Sequence, residues 1–409
     1  MHVSTKAAAA ASISKHLQSL QSAPLKRLAF LTGQVSTGTK AELRDTLTKA
    51  LPESRLRRVA PSLQHVQKKD VTAASGNDSV VPNARILSVD MGVKNLAFCL
   101  LEVRTDVWWK SESHSVAEPA IKLLEWKRLD LSTKEGSLSS VKESTLSAQD
   151  VNADDSALPK SKTKQQYTPS YLSKIAYQLV SQFLAYSPDT ILIERQRFRS
   201  GGGPAIQEWT VRVNMLEAML WASLETMSHT RTSTATKCIT KHHEEPSSFS
   251  DVVEVQPRRV GSFWLEGALE KASISAISAS SLSSLLDDSA TAKTKLEESD
   301  SPSAKPKTSL EKKDKIALAR HWLRDNSSDL AIDDCLKPLS AAFCRRGRAS
   351  ASPNSSASPL KDEKNKDVHA LSADRPGKLD DLADCLVQGV TYAIWEENRR
   401  RVFEYCSSV

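Results

Sequence analysis

"RILSVDMGVKNLAFCLLEV", residues 85–103, is the stretch that decides the fold. Its opening "RILSV" (85–89) is β-branched and mostly apolar, which reads as a buried strand. "NLAFCLLEV" (95–103) reads as a second strand, and "IKLLEWKRLDL" (121–131) as a third. Short connections predict an antiparallel meander. Between the first two strands lie Asp90 and Gly92. A carboxylate at the mouth of a buried strand is poorly solvated and calls for a partner. The glycine permits a tight turn and close approach by a ligand.

Working outward, "SYLSKIAYQLVSQFLAY" (170–186) repeats apolar residues at helical spacing, and Pro188 stops it. "TILIE" (190–194) is a short buried strand that ends in Glu194. "AIQEWTVRVNMLEAMLWASLETM" (205–227) predicts a long amphipathic helix with Ile206, Trp209, Val213, Leu216 and Leu220 on one face. "DVVEVQPRRVGSFWL" (251–265) opens with another strand. "LEKKDKIALARHWLRD" (310–325) and the segment from Asp380 onward are helical. Three strands, helix, strand, helix, strand, helices: that order describes an α/β domain with a mixed sheet flanked by helices.

The chain has 409 residues, with 39% hydrophobic and 5% aromatic residues, low values for a fully packed chain of this length. Four stretches explain the deficit: 132–166, 228–250, 268–309 and 345–376, rich in Ser, Lys, Asp and Thr without sustained period. Such segments bury too little apolar surface to offset backbone entropy. They read as disordered insertions within one domain spanning 84–409, because lengthening a surface loop costs little. The net charge of +7 favours a polyanionic partner, although basic linkers alone can produce it. No apolar run is long enough to span a bilayer, so no membrane partner is expected. Six cysteines without metal-like spacing read as free thiols. The first acidic residue is Glu42, so residues 1–14 read as a transit segment or, alternatively, a disordered tail.

Carboxylates appear at three places where chemistry is feasible. Asp90 and Glu194 each end an apolar strand, and "KLDDLADCL" (378–386) opens the last helix with Asp380, Asp381 and Asp384. Spacings of four (380/384) and three (381/384) both share a helix face, so the pattern leaves Asp380 and Asp381 open as the partner of Asp384. Taken singly, an aspartate at a helix start caps it, Asp90 is a turn residue, and Glu194 pairs with Arg195 or Arg197. Taken together, acids on adjacent strand ends plus a late helix are what a two-metal phosphodiester-cleaving site requires. Hard oxygen ligands suit Mg²⁺ or Mn²⁺.

These blocks, "ILSVDMGVKNLAFCLLEV", "ILIERQRFRSGGGPAIQEWTVRVNMLEAML" and "KLDDLADCLVQGVTYAIWEENR", resemble the fungal mitochondrial Holliday junction resolvases, the cruciform-cutting endonucleases related to RuvC in the ribonuclease H-like superfamily. The resemblance implies a Mg²⁺-dependent endonuclease (Mn²⁺ substituting) that makes paired nicks in four-way junction DNA as a mitochondrial homodimer, without a nucleotide cofactor. It also implies that Asp90, Glu194, Asp380 and Asp384 are the metal-binding catalytic acids, with Asp381 as the alternative to Asp380. Alternatives are a related nuclease with another nucleic-acid substrate and a DNA-binding scaffold without catalysis. Actin-like ATPases also begin with a strand ending in Asp-x-Gly. Here Val93-Lys94-Asn95 follows where they carry small hydroxyl residues.

Residues 15–51 resemble a SAP motif, a small helical DNA-binding module, through Leu25, Leu28, Gly33, Gly38, Lys40, Leu43 and Leu47. The other reading is a helical hairpin packed on the core. Arg195, Arg197 and Arg199 follow Glu194 and suit phosphate contact or neutralisation of the acids, and Lys40 is a further DNA-binding candidate. Lys312, Lys313 and Lys315 read as a solvated face with no specific role.

Overall fold

The computed structural model describes residues 2–56, 83–104, 120–131, 167–196, 208–237, 250–265, 310–324, 330–345 and 379–408. The insertions expected over 132–166 and 268–309 lie outside these residues, as do 238–249 and 346–376 of the other two.

A six-stranded sheet forms the centre. Its strands are β1 (Ala84–Asp90), β2 (Leu96–Val103), β3 (Ile121–Leu129), β4 (Thr190–Glu194), β5 (Asp251–Val255) and β6 (Leu330–Ile332), in spatial order β5-β4-β1-β2-β3-β6. β1–β3 form the expected antiparallel meander, and β4 and β5 add in parallel beside β1. The mixed sheet flanked by helices is therefore present. The short β6, parallel to β3, lies in a stretch where only three residues pair, too few to show a period in the sequence.

Strand alternation splits the core in two. Leu87, Val89, Ile191 and Ile193 point to one face. There they pack on α4 (Pro169–Ala185) and α5 (Glu208–Lys237) through Leu172, Leu179, Phe183, Leu216 and Leu220. Ile86 and Leu192 point to the other face, under the C-terminal helix α9 (Leu379–Ser408). A register shift between Leu100 and Leu101 on β2 lets Leu123 and Trp126 of β3 face the same layer despite their odd spacing.

Two helical expectations change. Trp209 does not share the buried face of Val213, Leu216 and Leu220: it is 39% exposed, in the first turn of α5, where it leans on Tyr167 instead of the sheet. Ile206 lies outside the described residues. The same helix continues to Lys237, so residues 228–237 of the expected 228–250 insertion are helical. Thr226 and Thr230 donate their hydroxyls to carbonyls one turn back, and His229 pairs with Glu225 at 2.9 Å, which keeps polar residues compatible with the helix. A further helix, α6 (Pro257–Leu265), follows β5, and α7 (Lys312–Trp322) and α8 (Lys337–Arg345) flank β6. Arg345 thus ends a helix where the last insertion was expected to begin.

The N-terminal helices are α1 (His2–Ser19), α2 (Ser22–Leu31) and α3 (Lys40–Ala50). α1 runs unbroken through the 14/15 position. Leu25, Leu28, Leu43 and Leu47 belong to the same apolar cluster as α9, so the SAP-like segment packs on the core. Gly33 explains how close the packing is. Its φ is +69°, and a Cβ there would lie 2.4 Å from the Trp395 ring on α9. α3 begins with a capping box between Thr39 and Glu42.

Candidate active site

The strand register sets up the acids. Val89 pairs with Ile193 in the parallel β1–β4 ladder, and one step further brings Asp90 beside Glu194 at the ends of both strands. Both carry the parity of Ile86 and Leu192, so both face α9. Glu194 is close enough to act on Asp90 both through its charge and as a hydrogen-bond partner. Burial first, and then the charge of Glu194, push Asp90 well above the usual carboxylate range.

α9 supplies the remaining acids. Its entry over the sheet is fixed by Trp126 of β3, whose indole N–H donates to the Leu382 carbonyl at 3.0 Å. One turn later Gln388 donates to Ser88 Oγ at 3.2 Å and to the Val89 carbonyl at 3.3 Å, tying the helix to the strand that carries Asp90. Gly389 lets the helix come down on the sheet: a Cβ would lie 2.9 Å from Leu101 Cδ1 and 3.1 Å from Ser88 Cβ.

The helix start therefore brings Asp381 and Asp384 within electrostatic reach of Asp90, since both charges help to raise it. Asp381 itself is pushed up to about 7, by burial and then by Asp380. Asp384 is raised by burial against the opposing pull of Lys315. Asp380, 3% exposed, is held by a hydrogen bond from Lys312 Nζ. Lys315 Nζ lies 2.9 Å from Asp384 Oδ1.

These lysines correct the reading of α7 as a solvated face: Lys312 and Lys315 turn into the acids, while Lys313 pairs with Glu311 at 2.8 Å. A sequence signal existed. Lys312, Lys315, Ala319 and Trp322 share a helix face, and the last two are buried, so the cations extend an apolar stripe. Arg128, at the end of β3, also acts on Asp381.

Of the candidate DNA contacts, Arg195 pairs with Glu254 at 3.1 Å, both about half exposed. Lys40 is exposed in the first turn of α3. Arg197 and Arg199 lie outside the described residues.

The donor set fits a divalent cation. Every candidate ligand is a carboxylate oxygen, and Asp380 Oδ1 and Asp381 Oδ2 are buried without a hydrogen bond. The cage is not preassembled. Among the described residues no three His, Cys, Asp or Glu side chains already form a cation-sized group, and the lysines engage Asp380 and Asp384.

Comparison with known proteins agrees with the blocks that built this site. Over 171 residues the chain is 29% identical to "Cruciform cutting endonuclease 1, mitochondrial" of Schizosaccharomyces pombe, covering 39% of this chain and 53% of that protein. The chain thus spans about half the length of the curated relative it matches. The crystal structure of the yeast mitochondrial Holliday junction resolvase Ydc2 superposes with a TM-score of 0.46 at 17% identity, covering 95% of this chain and 98% of that one. A family model matches residues 86–402, from β1 through the acids to the second half of α9. The chain belongs to the family described as mitochondrial resolvase Ydc2 / RNA splicing MRS1.

Proposed function

We propose that this chain is a divalent-metal-dependent, structure-selective endonuclease that resolves four-way DNA junctions in mitochondria, acting as a homodimer. One observation carries the reading: Asp90 and Glu194 on adjacent strand ends lie within electrostatic reach of Asp381 and Asp384 from the start of α9, in a chain of a family named for a mitochondrial resolvase. The S. pombe relative's name, a mitochondrial cruciform-cutting endonuclease, points to the same substrate and compartment. A junction has near two-fold symmetry, and a symmetric dimer offers two sites in matching geometry.

The residues that would hold Mg²⁺, or Mn²⁺ in its place, are Asp90, Glu194, Asp384 and Asp381. Asp381 is favoured over Asp380 because its charge, together with that of Asp384, acts on Asp90. A bound cation would lower the pKa of water and stabilise the leaving oxygen. Asp90, held well above the usual carboxylate range, must lose its proton before it can act as a ligand. Lys312 and Lys315 are placed to neutralise a phosphate drawn toward the acids, and Gln388 holds the Asp90 strand in register with α9. Arg195, Arg197, Arg199 and Lys40 are the proposed backbone contacts on DNA.

The test is cleavage of a synthetic four-way junction by purified chain with Mg²⁺. Symmetric nicks that are lost in Asp90→Asn, with junction binding retained, are expected. Equal cutting of linear duplex would sink the structure-selective part. The family description also names RNA splicing, which favours a second reading as a nucleic-acid binder without cleavage. That reading expects no cation site dependent on Asp90 and Glu194 in a calorimetric Mg²⁺ titration.

A further inference from the structure

Where the β1–β2 turn meets the starts of α4 and α5, four side chains form a stack that the cleavage chemistry does not use. Trp209 is 39% exposed, although an indole is among the largest apolar groups a protein can bury. Its ring meets that of Tyr167 edge-on, with centroids 5.2 Å apart and planes at 82°. Tyr167 is only 7% exposed, so the outer ring stands on an anchored one.

Two cations border the pair. The Arg212 guanidinium lies 4.7 Å from the Tyr167 centroid and 5.9 Å from that of Trp209. Lys94 Nζ lies 5.4 Å from the Trp209 centroid. Arg212 also pairs with Glu208 at 2.5 Å, but Glu208 is 80% exposed and can swing into water. Lys94 is exposed and belongs to the same turn that begins at Asp90. The tie between this turn and the α4 side is direct: the Leu131 amide donates to the Val93 carbonyl at 3.0 Å, and Tyr171 Oη donates to the Leu131 carbonyl at 3.0 Å. Through Lys94 the stack includes a residue of the turn that leads out of the strand ending in Asp90.

A partly exposed indole with cations over its ring is chemistry that can receive a nucleobase out of its helical stack, with the cations turning to its phosphate. A polypeptide partner would not need two cations at one indole. A duplex arm hides its base faces, whereas a branch point interrupts stacking and lets a base turn out.

We infer that Trp209, backed by Tyr167, is a stacking platform for one unpaired nucleobase, and that Lys94 and Arg212 hold the phosphate next to it. This deepens the proposed function and rests on its nucleic-acid part. The experiment uses the full chain in EDTA, so that binding is read without cleavage. Two probes serve: a four-way junction with 2-aminopurine at the branch point, and a fluorescent oligothymidylate. For wild type, 2-aminopurine emission quenched on binding is expected. Trp209→Ala should relieve the quenching and weaken junction binding about tenfold, Trp209→Phe should retain most of the affinity, and linear duplex binding should stay within about twofold. Lys94→Gln should flatten the salt dependence of binding. Unchanged junction affinity and quenching in a folded Trp209→Ala would overturn the platform while leaving the junction reading intact. Loss of oligothymidylate binding in Trp209→Ala, with no junction preference in wild type, would uphold the platform and overturn the junction reading. Because Trp209 is partly exposed, its truncation leaves no sealed cavity, and a matching thermal midpoint shows that the variant is folded.

Discussion

Asp90 concentrates the electrostatics of this molecule. It stands beside Glu194, lies within electrostatic reach of Asp381 and Asp384, and is linked to α9 through its strand. Asp90→Asn should therefore lower junction cleavage by at least about a hundredfold, read by gel assay under Mg²⁺. The acids also imply a pH dependence. Asp90, Asp381 and Asp384 all bind a proton more tightly when folded than when unfolded. Between the ordinary carboxylate range and about 7, where Asp381 titrates, the folded state holds more protons, so stability falls as pH rises through that window. In EDTA the thermal midpoint should drop across it, and Asp381→Asn should make the drop shallower. Lys315 works against this strain. With side chains 19% and 22% exposed, the Lys315–Asp384 pair is mostly buried, and Lys315→Met should cost about 1–3 kcal/mol in EDTA, partly recovered by added Mg²⁺. Denaturant melts with and without the ion would show it.

α9 is the element that turns scattered acids into a site. It is buried on nearly every side, which is why its apolar stripe is so hard to delimit by periodicity: Glu396, Glu397 and Asn398 are each at most 1% exposed. Glu396 accepts from the Arg55 amide at 2.7 Å and from Arg399 at 2.5 Å, and Asn398 donates to the Leu31 carbonyl at 2.7 Å. A sequence alone reads such residues as solvated, because only the neighbouring chain tells them otherwise. The acids at strand ends were legible, since an apolar run that stops at a carboxylate announces itself. Asp380 and Asp381 could not be told apart, because which of them reaches Asp90 depends on how α9 meets the sheet. Gly389→Ala tests how tightly this helix is seated. The new methyl would collide with Leu101 and Ser88, so a loss of about 1–3 kcal/mol is expected in denaturant melts, together with weaker cleavage.

At the scale of the molecule, the meander and the parallel additions beside β1 could be read from strand patterns, whereas β6 was too short to leave a trace. α2 and α3 were legible as helices but not as part of the core, because their apolar leucines suit a separate module equally well, whereas α1 begins in residues read as a transit segment or disordered tail and is a helix from His2 to Ser19 with Ile13 buried. Gly33 shows that they are fitted to α9, so Gly33→Ala should loosen residues 2–56 as a unit, visible as faster amide exchange in α2 and α3 ahead of the sheet. α9 also has a metric consequence. Asp384 and Glu396 are twelve residues apart on one rigid helix, about 18 Å at 1.5 Å per residue. That is roughly five base pairs of duplex at 3.4 Å each. The helix is a caliper: if Asp384 works at a cut, whatever the N-terminal helices touch lies at a fixed offset from it. Footprints of the two would then move together along an arm rather than independently.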